Sequence, residues 1–322
     1  MPTLSSYAYL TIAEATKREG FDAGSLGELM QVMDFYSEVP WLPATHGTNN
    51  KQTQATRLGA GAFAKANSPI TIISSSAEEI TEPVKLYEGD SAVDERVLKG
   101  ADNPTKVRDS EDMLNMTGLA QDWLYQLFYT YDYSTTDAFK SLRQRRAATT
   151  ANRTWTFSGT GGGDLTDLWL FEFGPRAFYL GYNPNSTPGF ANDDRGRQLA
   201  TAPTGTGQFW AWMRHYEIWA AIVLRDDRAL QRGINIETTG SSSIFDPAIC
   251  IQMKNQLPSF GASAVFFANR TLKAQIDNNA YAKTNAAYSI RDIQDFGPVT
   301  YVSGVPVRVH EGIPNTLSTG GL

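Results

Sequence analysis

Hydrophobic and polar positions divide this chain into stretches of distinct texture. Residues 1–24 mix apolar and charged side chains with weak helical spacing and read as a tethered arm. Leu26, Leu29, Met30, Met33 and Tyr36 then recur at near-helical spacing behind a Ser25/Glu28 capping pattern, and Pro40 and Pro43 end this short amphipathic packing helix. Residues 46–77 change character: apolar residues are sparse apart from Leu58, Phe63, Ile70, Ile72 and Ile73. The alternation in NKQTQATRL and the Thr/Ile-rich ITII predict two extended arms, with Gly59–Ala62 as the turn. A lone two-stranded arm buries too little apolar area to hold itself in water, so another surface must cover it. A second copy of the chain is the expected cover.

Met113, Met116, Leu119/Ala120, Trp123/Leu124 and Leu127/Phe128 share one face of a long helix expected over 109–129, capped by Asp109 or Ser110. From Tyr131 to Gly163 the pattern breaks up around a basic cluster, Arg143, Arg145 and Arg146. Residues 165–236 are aromatic and strand-like. DLWLFEF and AFYLGY flank Gly174-Pro175 as a hairpin would, and FWAWMRHYEIWAAIVL and ALQRGINI follow, together predicting one twisted antiparallel sheet. Residues 241–322 read as α/β. Asp246-Pro247 opens one helix and Asn269 caps another, SAVFFAN is a buried strand, and 298–309 forms a hairpin turning at Ser303-Gly304. No internal repeat is visible.

Charge sharpens the picture at one place. The formal net charge is -6, yet 46–77 carries Lys51, Arg57 and Lys65 and no Asp or Glu. Residues 78–112 reverse the sign, beginning with Glu78, Glu79 and Glu82. A solvated acidic face is the plain reading. The sharper one seats the acid-free arm on the acidic stretch of a neighbour, since complementary potentials orient partners. Lys51, Arg57, Phe63 and Lys65, with Glu78, Glu79 and Glu82 as acceptors, are therefore the inter-subunit contact candidates.

A chain of 322 residues, 41% hydrophobic and 19% charged, can bury a sizeable core. An acidic balance argues against a dedicated nucleic-acid surface. The single cysteine, Cys250, excludes an intrachain disulfide and reads as a buried hydrophobe. No secretion signal or membrane-length apolar run is present, so a protein made in a cytoplasm is expected.

Candidate chemistry is thin. The GTGGGD run at 159–164 lacks the Lys and helix of a phosphate cradle and reads as a turn. His215 and Glu217 share a strand face as metal ligands could, but the chain holds 3 histidines and no His-rich cluster, so a polar pair is expected. Asp226 and Asp227 read as turn charges beside Arg225 and Arg228, and Cys250 has no local His to activate it. No catalytic, cofactor or metal set is expected, and the chain reads as a structural protein rather than an enzyme.

Four stretches together resemble one family: 166–190, 214–236, 263–277 and 304–313, with Val39-Pro40-Trp41 and the polar arm after it. Each is similar to its counterpart in the major capsid proteins of epsilon-15-like tailed bacteriophages. The resemblance implies an α+β Hong Kong 97-like capsid fold, and 1–45 would be the N-terminal arm and short helix. It makes 46–77 the extended E-loop, 78–164 a P-domain strand, spine helix and connector, 165–240 the P-domain sheet and 241–322 the A-domain. That order puts P-domain strands before the A-domain helices, implying rewired connectivity, and leaves 131–160 unassigned. It further implies self-assembly into pentamers and hexamers of an icosahedral shell around double-stranded DNA, built in the host cytoplasm. A portal and scaffolding or cement proteins would be partners. An encapsulin-type compartment and a β-rich enzyme or binding module are the alternatives.

Overall fold

The computed structural model describes residues 34–67, 69–129, 137–147, 153–157, 159, 162–201, 207–239, 245–259, 261–281, 287–293 and 297–318. The expected arm at 1–24 and the Ser25/Glu28 cap lie outside these residues. The short helix is described over Asp34–Glu38 (α1), followed by strand β1, Trp41–Pro43.

Two sheets and one long helix make the body. In the first sheet, β1 pairs with β7 (Phe178–Tyr182), β7 with β9 (Gln208–Leu224), and β9 with both β4 (Lys85–Asp94) and β8 (Phe190–Thr201). Strand β9 has 17 residues, about 55 Å at the usual rise per residue, and is the rail on which the others align. The second sheet has the order β12-β13-β14-β11-β6-β10-β5, with β5 Thr154–Thr156, β6 Leu165–Glu172, β10 Leu230–Glu237, β11 Ala264–Ala268, β12 Tyr288–Ile293, β13 Gly297–Val302 and β14 Val305–Val309.

This arrangement corrects two expectations. The apolar runs flanking Gly174-Pro175 do not form a hairpin: β6 pairs with β10 and β11, while β7 pairs with β1 and β9. The 165–236 block is accordingly divided between two sheets. The reason lies in burial. All 8 residues of β6 are buried, because Trp169 and Phe171 face one core and Leu168 and Leu170 the other. A strand covered on both faces needs neighbours on both edges and a layer on each side.

After a short helix at Glu95–Lys99 (α2), the long helix, α3, runs Pro104–Tyr129. It starts before the expected caps because Asn103 accepts from the Lys106 amide (3.1 Å) and Pro104 suits a first turn. Ser110 instead donates to the Val107 carbonyl (2.9 Å), and Asp112 is buried, held by Arg108 (3.0 Å), Arg214 (2.9 Å) and the Tyr216 hydroxyl (3.0 Å). Trp123, Leu124, Leu127 and Phe128 pack against residues of both sheets. Where the helix crosses β4 the approach is close: a Cβ on Gly89 would lie 2.7 Å from Leu119. The second core lies beneath Pro247–Asn255 (α5) and Arg270–Tyr281 (α6), centred on Cys250, Met253, Leu272 and Ile276. Both caps are as read: Asp246 accepts from the Ala248 amide (2.8 Å) and Asn269 from the Leu272 amide (2.8 Å). The terminal hairpin turns at Ser303 (φ 54) and Gly304 (φ 79), the double positive φ of a tight hairpin turn.

The basic cluster of the unassigned segment is structural. A one-turn helix at Leu142–Arg145 (α4), capped by Ser141, presents Arg145 to Glu82 and Arg146 to Asp227.

Phe35 plugs the junction, 5.0 Å from Phe128 and 5.1 Å from both Phe171 and Phe267 between ring centroids. Beside it His310 is fully buried, with no hydrogen-bond partner on either ring nitrogen among the described residues, and burial lowers its pKa to about 3. In the unfolded chain it titrates near 6.5. Between those values the unfolded state binds the extra proton, so stability is full above pH 6.5 and falls as the pH drops toward 3. The ceiling is about 5 kcal/mol. His310→Leu is expected to flatten this part of the stability–pH curve relative to the parent chain, as read by urea unfolding at stepped pH. Parallel curves would show that His310 does not titrate there.

Candidate assembly surface

The residues weighed for chemistry are all engaged structurally. His215 lies 2.7 Å from Asp90, 3.6 Å from Glu88 and 3.7 Å from Glu217, a polar cluster on the sheet. Asp226 accepts from the Arg228 amide and pairs with its guanidinium (2.8 Å). Asp227 binds Arg146 (2.9 Å) and Arg153 (3.0 Å) rather than Arg225 or Arg228. Burial pushes the Cys250 thiol well above its usual range, the wrong direction for a nucleophile. Among the described residues no three His, Cys, Asp or Glu side chains are placed to share a metal ion. No helix among them is long and apolar enough to cross a membrane.

The arm is where the chain departs from a self-contained body. Strand β2, Asn49–Arg57, pairs antiparallel with β3, Ser76–Pro83. The second arm is therefore the acidic SAEEITEP. The Thr/Ile run at 70–73 belongs instead to a long tip between the strands, a correction to both the strand and the four-residue turn. Its β-branched residues have no partner strand among the described residues, whereas SAEEITEP meets β2 edge to edge through the backbone ladder.

The arm's base is fixed to the body. Asn50 donates to the Tyr179 hydroxyl (3.4 Å) and Gln52 to the Leu224 carbonyl (3.1 Å). Glu82 takes both terminal nitrogens of Arg145, each at 2.6 Å. Further out no described residue covers it. Every described residue from Arg57 to Glu79 is exposed, including Leu58 (80%), Phe63 (111%), Ile70 (91%), Ile72 (95%) and Ile73 (58%).

The seven candidate contact residues separate on this geometry. Lys51 pairs with Glu79 across the hairpin (2.9 Å) and Glu82 with Arg145, so two expected acceptors already bind cations of their own chain. Cross-strand proximity explains the first pair: once the acidic strand folds back on the basic one, opposite charges meet within the arm. Arg57 donates to the Ser74 carbonyl (3.3 Å). Phe63 and Lys65 lie on the open tip and Glu78 near its root, all exposed.

A second exposed apolar face lies on the β8–β9 ribbon. Its residues were read only as strand, in the run FWAWM. Arg197 stands opposite Trp212 and Leu199 opposite Trp210, so all four share one face. Trp210 (46%), Leu199 (47%) and Trp212 (39%) remain open, and the Arg197 guanidinium lies 4.3 Å from the Trp210 ring centre. The available signal was the W-x-W spacing, which puts both indoles on the face that also carries polar Arg214.

Comparison with known proteins decides the family. The profile of the major capsid protein GP7 family matches residues 24–318, nearly the whole chain. The chain belongs to the GP7 major capsid protein family. A chain of the bacteriophage Epsilon15 structure is similar over 98% of both chains, at 18% identity and a TM-score of 0.70. The bacteriophage JBD30 capsid (10% identity, 86% of this chain and 90% of that one, TM-score 0.45) is more distant. So is the SrpI encapsulin of Synechococcus elongatus (8% identity, 75% and 95%, TM-score 0.44). No curated protein matches. The fold is thus the α+β capsid fold of Epsilon15, and a GP7-family chain is the structural subunit of a virion shell, built from copies of itself.

Proposed function

We infer that this chain forms the icosahedral shell around the double-stranded DNA of a tailed bacteriophage, and that each subunit seats its arm on an adjacent copy. The exposed tip carries this reading: five large apolar side chains in one uncovered segment are a surface built to be covered. Ring closure needs heterologous contacts, one patch meeting a different one on the next subunit. Each contact is modest, and many act together once the shell closes. The net charge of -6 suits a container, since a basic wall would hold phosphates by counterion release. No catalytic role is assigned.

In this reading the E-loop expected at 46–77 extends through β3 to Pro83, and Pro104–Tyr129 is the spine helix. The β9-centred sheet forms the P-domain and the seven-stranded sheet with α5 and α6 the A-domain. The chain passes between them three times: β5 and β6 join the seven-stranded sheet, β7, β8 and β9 return to the other, and β10 onward rejoin the seven-stranded one. The expected placing of P-domain strands ahead of the A-domain helices is kept in this reading for β7, β8 and β9, which precede α5 and α6. A portal, scaffolding or cement proteins and the packaged DNA complete the set of partners.

Electron microscopy of the purified chain tests the reading: shells, pentamers and hexamers are expected, and material that stays single at every concentration contradicts it. Charge reversal at Arg57 and Lys65 together is expected to lower shell yield several-fold at low salt and less at high salt. Unchanged yield would remove electrostatics from the seating and leave it apolar.

A further inference from the structure

We propose that the arm tip of one subunit packs Phe63, Ile70 and Ile72 onto the Leu199–Trp210–Trp212 face of a neighbouring copy and into the groove beside it. This rests on the reading that the arm seats on an adjacent copy, and it names the seat. Three observations carry it. First, a heterologous contact needs two unlike surfaces. Among the described residues the large exposed apolar side chains gather at two places, the tip and this ribbon face, the others being scattered singly. Second, the ribbon face is shaped to receive a side chain. Trp212 forms one wall of a groove of about 470 Å³ whose other walls include Leu98, Pro104 and Thr105. A groove walled by one indole, beside a second indole that carries the Arg197 guanidinium, resembles the centre of a protein interface, where Trp and Arg carry much of the binding energy.

Third, the charges agree. The tip from Arg57 to Ser75 brings cations and no carboxylate. In the groove, Lys99 pairs with Glu95, Arg108 with Asp112, and Arg214 with Asp112 and Asp194. Asp109, on the same rim, has no such cation among the described residues. A cationic tip fits the carboxylate left over. The tip does not fill this groove within its own chain, since its side chains are open to solvent.

A photoreactive benzophenone amino acid placed at position 63, in shells co-assembled from isotopically light and heavy subunits, tests the seat directly. Mass spectrometry of the cross-linked peptides should find light–heavy pairs joining the tip to 194–214 or 95–109. Inter-subunit cross-links mapping elsewhere would overturn the seat while leaving the arm on its neighbour. Cross-links confined to single subunits would overturn both. As a second measurement, the Trp210→Ala, Trp212→Ala double variant should raise the subunit concentration needed for assembly by about tenfold or more. Truncating two half-buried indoles lowers the unfolding midpoint, so circular dichroism should confirm a folded subunit at the temperature of assembly. Unaltered assembly by the double variant counts against the seat.

Discussion

Arg232→Met is expected to destabilise the subunit by about 3–5 kcal/mol, the usual cost of stranding one member of a buried ion pair. Arg232 and Asp167 are each 1% exposed. The guanidinium reaches Asp167 Oδ2 at 2.9 and 2.6 Å and the Arg146 carbonyl at 2.9 Å. The Tyr129 hydroxyl also reaches the carboxylate (3.2 Å), and Trp169 Nε1 donates to that hydroxyl (3.2 Å). With Arg232 gone, the carboxylate stays behind in a core that excludes water. Burial already raises the Asp167 pKa, and Arg232 is the chief group opposing that rise. In Arg232→Met the carboxyl should therefore take up a proton at mildly acid pH, making the loss smaller there than at pH above neutrality. The double replacement Asp167→Leu, Arg232→Met should recover most of the loss, because an apolar pair of similar volume needs no desolvation of charge. Urea unfolding of the single and double variants checks this. Equal destabilisation by both would mean that packing against Trp169, rather than charge, is what Arg232 supplies.

The second large effect concerns assembly rather than folding. Replacing Phe63, Ile70, Ile72 and Ile73 together by Ser should abolish shell formation under conditions where the parent chain assembles, with the subunit's unfolding curve unchanged. These side chains are open in the single subunit, so they add little to its stability. Covering each on a neighbour is worth about 2 kcal/mol before the cost of association. Spread over every arm of a shell, that loss is decisive. Sedimentation separates shells from subunits. Normal shells from the quadruple variant would move the seating elsewhere on the chain.

Much of this architecture was legible along the chain, for identifiable reasons. The terminal hairpin is signalled by a Ser-Gly pair that can take positive φ, and α5 and α6 by Asp246-Pro247 and Asn269, whose side chains bind the first free amides. The spine helix is visible because Trp123, Leu124, Leu127 and Phe128 return on one face. The passage between sheets at Gly174 is not visible, since two apolar runs around Gly-Pro look the same whether they pair with each other or with strands far away. Nor is the true second strand of the arm. SAEEITEP has no apolar alternation, and its pairing is written in backbone hydrogen bonds. The candidate contacts were half legible: acid-free and acidic stretches stood out, but their charges meet first within the chain, as Lys51–Glu79 and Glu82–Arg145 show. Trp210 and Trp212 were hidden in a run that reads only as strand until the sheet shows which face stays open.

The claim on which the account turns is that the arm tip is bare in one subunit and covered in the shell. Cys250 is buried, so a Phe63→Cys variant presents one reactive thiol at the tip. Its rate of modification by a thiol reagent should fall by an order of magnitude or more when subunits assemble, and recover when shells are dissociated. Equal rates in shells and in free subunits would show that no neighbour lies over the tip.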